Sequence, residues 1–194
     1  MCNYQTGSWM LSSSSDRRAL DIVDGVGAHS GKGPHYSRRT PGSKTFTGVG
    51  QEIVLVTQDL RAVWAVVRQK TPSARGTGGS RGRTGEADPA PKFVWRNMVF
   101  RNLGAGLSST LIREAVGMTY QEWAKRYGNL PVENLRTEID PKRVLSRNPG
   151  YCYLMAGFHN RRKVRGKIYF DAPCPCNLLL GECSCCPTWK VEAA

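Results

Sequence analysis

Six consecutive residues, Arg101-Asn102-Leu103-Gly104-Ala105-Gly106, carry the clearest chemistry in this sequence. They stand between a strand-like run ending near Phe100 and a helix-like run opening at Leu107. The glycines let a backbone approach a phosphate closely, and the free N–H groups and dipole of a helix start favour negative charge there. Arg101 adds charge-assisted hydrogen bonds, and Ser108 and Ser109 stand where the helix opens. The stretch predicts an anion site running from Phe100 to Gly106, with Ser108 and Ser109 beside it. A Gly-rich strand-to-helix turn without a ligand satisfies the same pattern.

Three further groups have the types that chemistry uses. Tyr153, in Tyr153-Leu154-Met155-Ala156-Gly157-Phe158, is a phenol on a short helix that stops at a glycine, and Tyr151 lies two residues before it. His35, Tyr36 and Asp140 supply N and O donors that can bind one divalent ion or relay a proton. The plain readings are a surface His-Tyr pair and, for Asp140 before Pro141, a helix cap. Cys174, Cys176, Cys183, Cys185 and Cys186 crowd the end of the chain. Their pairs are separated by one residue or none, where structural zinc usually wants two to four. Pro173, Pro175 and Pro187 argue for an extended tail with reduced thiols, and a zinc site is the rival reading.

The loop and the Tyr153 segment together resemble the GNAT acyltransferases. The pyrophosphate loop of that family reads Arg or Gln, two residues, Gly, one residue, then Gly or Ala, and Arg101 to Gly106 match every fixed position. A Tyr four residues ahead of a Gly-aromatic pair is the family's second mark, met here by Tyr153 with Gly157-Phe158. The resemblance implies a single α/β (α+β) domain with a mixed central sheet and flanking helices. It also implies acetyl-CoA, or a related acyl-CoA, lying along a splayed strand pair. Backbone N–H groups at Phe100 or its neighbours would polarise the thioester carbonyl, and Tyr153 would protonate the departing thiolate, with Tyr151 as its rival. Within the superfamily the chain looks most like the Mom group of bacteriophage DNA-modification proteins. His35-Tyr36, Asp140 at a strand end and the Asn148-Pro149-Gly150-Tyr151 turn carry that likeness. It implies DNA as partner and the exocyclic amine of adenine as acceptor. That nitrogen is a poor nucleophile, so a base, a metal or both are asked of His35, Tyr36 and Asp140. A GNAT enzyme acting on a protein or small-molecule amine, and a basic nucleic-acid-binding protein without chemistry, are the other readings.

Positioning these groups requires a definite set of elements. Residues 53–56 and 62–67 read as a hairpin turning at Gln58-Asp59, and 93–100 as a further strand. Residues 107–127 predict a helix capped by Ser108 or Ser109, striped by Leu111, Ala115 and Met118, and stopped by Gly128. Leu135, Thr137 and Ile139 alternate with Arg136, Glu138 and Asp140 as on a half-buried strand. A short helix follows, with Asn148 as cap, Pro149 at its first position and Gly157 as its stop, and residues 164–170 close the order as a last strand. Residues 1–27 read as a leader with little structure, 28–172 as the domain, 71–91 as a mobile basic insertion and 173–194 as the tail.

Bulk composition agrees with this outline. At 194 residues and 40% hydrophobic, the chain suffices for one domain plus tails. A net charge of +13 and a pI near 9.8 favour polyanionic partners: nucleic acid, anionic membrane or phosphorylated cofactors. No run approaches the roughly 20 apolar residues of a membrane span, and Trp9-Met10-Leu11 is too short for a secretory apolar region. The expected place is a cytoplasm. Arg75, Arg81 and Arg83 in the insertion are candidates for the phosphate backbone.

Overall fold

The computed structural model describes residues 8–24, 43–70, 93–128, 134–144 and 146–173. Within them, seven strands form one mixed sheet: β1 (Trp9–Ser12), β2 (Gln51–Thr57), β3 (Ala62–Lys70), β4 (Phe93–Asn102), β5 (Leu135–Ile139), β6 (His159–Val164) and β7 (Lys167–Asp171). Their order across the sheet is β1-β2-β3-β4-β5-β7-β6, and β4–β5 is its parallel pair. Three α-helices accompany it: α1 (Arg17–Asp24), α2 (Ser108–Tyr127) and α3 (Tyr151–Met155). The architecture is a mixed α/β single domain.

Alternation along the central strands sorts the core into two layers. Ile53, Leu55, Trp64, Val66 and Trp95 face α2, whose Leu111, Ile112, Ala115, Val116, Tyr120 and Trp123 complete that layer. Val54, Val56, Val63 and Ala65 face the other way, against Ala19, Ile22 and Val23 of α1. In the first layer the Trp64 indole donates to Thr119, which donates to the Ala115 carbonyl, whereas the buried Trp9 and Trp95 indole N–H groups have no hydrogen-bond partner among the described residues. Past β5 the second face is ionic among the described residues. There Arg136 and Arg162 bracket Asp171, while Lys167 pairs with Glu138.

The hairpin, β4, α2 and β5 form as their sequences predict, and Gly128 ends α2 in the left-handed region with φ 75°. Four expectations are corrected. Residues 8–24 are not an unstructured leader. Trp9 to Ser12 pair with β2, and Asp16 caps α1 by accepting from the Arg18 N–H and, through its carbonyl, from Leu20. Neither serine caps α2, because Leu107 holds the cap position and the Ser108 hydroxyl accepts from Asn102 instead. Pro149 does not open α3: Tyr151 N–H bonds the Asn148 carbonyl in a turn, and Gly150, at φ 88°, breaks the path between them. The expected last strand is two strands, since Arg165 (φ 48°) and Gly166 (φ 79°) make a two-residue hairpin turn. The polar β6 shows no alternation because it lies at the sheet edge.

Candidate functional site

Among the described residues, the glycine loop, Tyr153 and Asp140 lie toward one end of the sheet. Strand β4 pairs with β5 only through Trp95, Arg96 and Asn97, opposite Leu135, Arg136 and Thr137. The register against β3 then jumps by one residue, with Val99 opposite Ala65 but Asn97 opposite Val66, so Met98 is bulged. Beyond the bulge β4 runs on to Asn102 beside β3, while β5 continues to Ile139 paired on its other edge with β7. The parallel pair therefore parts beyond Asn97 and Thr137, and the gap between the two strands is the candidate cleft. Leu103 N–H bonds the Arg61 carbonyl on the β3 side, so by strand alternation the Phe100 N–H is directed to the β5 side, past the end of the ladder.

Asn102 organises the loop at the end of β4. Its side-chain Oδ1 accepts from the Gly104 and Ala105 N–H groups, and its side-chain Nδ2 donates to the Gly106 carbonyl and the Ser108 hydroxyl. Those contacts fold the loop, and they use two N–H groups that the sequence assigns to an anion. Other donors are left at the helix start. The first intrahelical bond is Leu111 N–H to the Leu107 carbonyl, so Ser108, Ser109 and Thr110 have N–H groups with no acceptor inside the helix. Gly104 and Gly106 have φ of 99° and 144°, and a Cβ on either meets nothing within 4 Å. The glycines are demanded by backbone conformation, and the space beside them is open. A phosphorylated ligand fits this cradle through helix-start N–H groups. The Arg101 guanidinium is turned elsewhere, donating to the Val23 carbonyl in the last turn of α1.

A buried polar cluster sits where β4 and β5 part. The Asn97 side-chain nitrogen donates to the Ala65 and Val99 carbonyls, the register pair just past the bulge, at 3.0 and 2.9 Å. Its oxygen accepts from the Tyr153 hydroxyl at 2.8 Å and the Thr137 hydroxyl at 3.3 Å. Gly157, at φ 97°, and Phe158, whose N–H bonds the Tyr153 carbonyl, close α3 beneath the phenol. Phe100 and Phe158 meet the Tyr153 ring edge-on, and Phe170 stacks on it. Burial pushes the phenol above its ordinary range, against a smaller opposing effect of the Thr137 hydroxyl, so the phenol keeps its proton near neutrality. Tyr153 is 7% exposed and Tyr151 is 55% exposed, so of the two rivals only Tyr153 reaches the bulge. Neighbouring Cys152, half-buried, is held as the neutral thiol by burial.

The sequence reading misses Asn97 and Thr137. An Asn in the middle of an apolar strand, two residues from Trp95 on the core face, is the signal that was available.

Asp140 follows β5 at the open end of the sheet and accepts from the Lys142 N–H at 3.1 Å, capping the short 3-10 turn Pro141–Arg143. His35, Tyr36, the Arg75–Arg83 region and the cysteines from Cys174 onward lie outside the described residues. Among the described residues no group of three or more His, Cys, Asp and Glu is placed to hold a metal ion, and no helix is long and apolar enough to cross a membrane. No family model, curated protein or solved structure matches this chain.

Proposed function

We propose that the chain is an acyl-CoA-dependent N-acyltransferase of the GNAT type, whose acceptor is the exocyclic amine of adenine in DNA. One observation carries the reading. A parallel strand pair parts at a bulge, with a glycine loop and helix start at the end of its longer strand and a protonated phenol bonded into the bulge. It supports the reading because the resemblance implies a splayed strand pair at this point.

The roles follow from direction and burial. N–H groups of Ser108, Ser109 and Thr110, with the helix dipole behind them, hold the pyrophosphate. Gly104 and Gly106 keep the approach clear. The acyl-CoA supplies an activated thioester carbonyl. The Phe100 N–H, directed into the cleft, donates to that carbonyl oxygen and stabilises its developing charge. Tyr153 retains a proton for the leaving sulfur because burial opposes its ionisation. Asn97 holds the phenol and ties it to the strand that carries Phe100. Asp140, at the open end, activates the amine with His35 and Tyr36, and any divalent ion would be shared among these three. The charge of +13 supports a polyanionic acceptor over a cationic or neutral one.

Calorimetry of CoA binding by the wild type and by Gly104→Val tests the cofactor half. The variant should lose CoA binding, because its branched side chain enters the open space beside the loop. Unchanged affinity would remove the main support for the reading. Mass spectrometry of nucleosides from DNA of expressing bacteria tests the acceptor half, and a mass-shifted deoxyadenosine is expected. Label appearing on lysine or a small amine instead, with deoxyadenosine unmodified, would transfer the reading to those acceptors.

A further inference from the structure

We infer that the sheet end where β4 and β5 part carries a docking rim for the phosphate backbone of duplex DNA, formed by Lys142, Arg147, Lys163 and Arg165. The proposal rests on the acyltransferase reading for its purpose, to present a base to the cleft, but not for its physics.

Strand direction assembles the rim. The parallel β4 and β5 end on the same side of the sheet, so the turn after Ile139, with Lys142, lies beside the cleft. Strand β7 is antiparallel to β5 and starts there, with Ile168 opposite Ile139. Strand β6 ends there, with Val164 opposite Lys167. The Arg165-Gly166 turn is thus brought to the same end as Lys142. Arg147 follows in the loop that leads to Gly150 and α3.

Charge then decides the partner. Residues 141–170 contain eight Lys and Arg and no Asp or Glu. The acids bordering this stretch are engaged. Asp140 caps Lys142, and Asp171 lies at the far end of β7 between Arg136 and Arg162. Glu138 pairs with Lys167. Lys142, Arg147, Lys163 and Arg165 are all exposed. Protection of a bare sheet edge explains a lysine on β6, where charge deters strand pairing. It does not explain Lys142, Arg147 or Arg165, which lie off the strand. Arg165 occupies a left-handed turn position, φ 48°, where Gly, Asn or Asp is the low-cost choice. Four exposed cations toward one end of the sheet, none in an ion pair among the described residues, repel one another, and a row of phosphates relieves that repulsion by releasing counterions.

The test is fluorescence anisotropy of a labelled duplex across a salt series. The wild type is compared with Lys142→Gln/Arg147→Gln/Lys163→Gln/Arg165→Gln, with circular dichroism as the check on folding. Each lost phosphate contact removes about 0.9 from the slope of log affinity against log salt, so the slope should fall by roughly 3 to 4. Affinity at low salt should drop at least about tenfold. Arg17→Gln/Arg18→Gln, on exposed α1 positions, should bind as the wild type does. An unchanged slope in the rim variant, equal loss in the α1 variant, or rim-dependent binding to phosphatidylserine vesicles with duplex binding intact would each overturn the proposal. CoA calorimetry on the same proteins separates the two claims. A wild type that binds duplex through the rim but binds no CoA refutes the acyltransferase reading and leaves the rim standing. A rim variant that keeps CoA affinity and loses duplex supports the rim as a surface distinct from the cofactor loop.

Discussion

Gly150→Ala is the most searching test of how this fold builds its site. Gly150 has φ 88°, and a Cβ there would lie 2.6 Å from Phe170 Cε2, 2.7 Å from Ile139 Cδ1 and 2.9 Å from Phe170 Cζ. Left-handed backbone costs a non-glycine residue about 1–2 kcal/mol, and overpacking a closed core typically costs about 1–3 kcal/mol more. The sum is about 2–5 kcal/mol. Gly104 provides the control, because its φ is 99° but a Cβ there meets nothing within 4 Å. Gly104→Ala should therefore lose only the backbone cost, about 1–2 kcal/mol. Urea unfolding followed by tryptophan fluorescence reads both. With a slope near 2 kcal/mol/M, the Gly150 variant should unfold roughly 1–2.5 M earlier than the wild type. The site should respond as well, since the Gly150 carbonyl accepts from the Tyr153 N–H at 3.0 Å, and pushing the turn outward withdraws the phenol from Asn97. If Gly150→Ala unfolds no earlier than Gly104→Ala, crowding by Phe170 and Ile139 is not what fixes this turn, and the argument fails.

Two other outcomes follow from contacts at the site and the sheet edge. Tyr153→Phe removes the donor to Asn97 but leaves Thr137 bonded to the same oxygen, so stability should fall by only about 1 kcal/mol. Turnover should drop while calorimetric CoA affinity holds; full activity would remove the proton-donor role. Asp171 is buried, which alone would raise its pKa, but Arg162 and Arg136 outweigh burial and hold it down at about 2. A carboxylate depressed in the folded state stabilises above its unfolded pKa of about 4 and loses that contribution as pH falls towards 2. Acid unfolding should steepen across that window by up to about 2 kcal/mol, and Asp171→Asn should flatten it. A pH profile identical in the variant would show that the Arg136–Asp171–Arg162 bridge contributes nothing.

The elements that the sequence made legible are those whose local pattern and tertiary role coincide. The apolar stripe of α2 and its Gly128 stop, the β-branched runs of β2 and β3, and the alternation of Leu135, Thr137 and Ile139 each encode the face they bury. The expected hairpin and helix differ from the observed ones by only a few residues at their ends. Trp9 to Ser12 was opaque because four residues carry no period of their own; the strand exists because β2 offers an unpaired edge. The β6–β7 hairpin was opaque for the opposite reason, its polar edge strand showing no alternation to read.

In the site, the sequence by itself determined the glycine loop, the helix start after it and the tyrosine pair Tyr151 and Tyr153, because glycine content and helix periodicity are local properties. Only the tertiary structure decided how they are used. Register against β3 fixed the bulge at Met98, and pairing with β5 fixed where the cleft opens. Packing under Phe100, Phe158 and Phe170 chose Tyr153 over Tyr151, and burial made Asn97 the partner that the phenol must find. Arg101 shows the limit most plainly. Its position in the loop motif is a fact of sequence, but its guanidinium turns to the Val23 carbonyl because α1 ends within reach. Hydrogen bonds between residues 78 apart are set by the packing of whole elements, which no local pattern records.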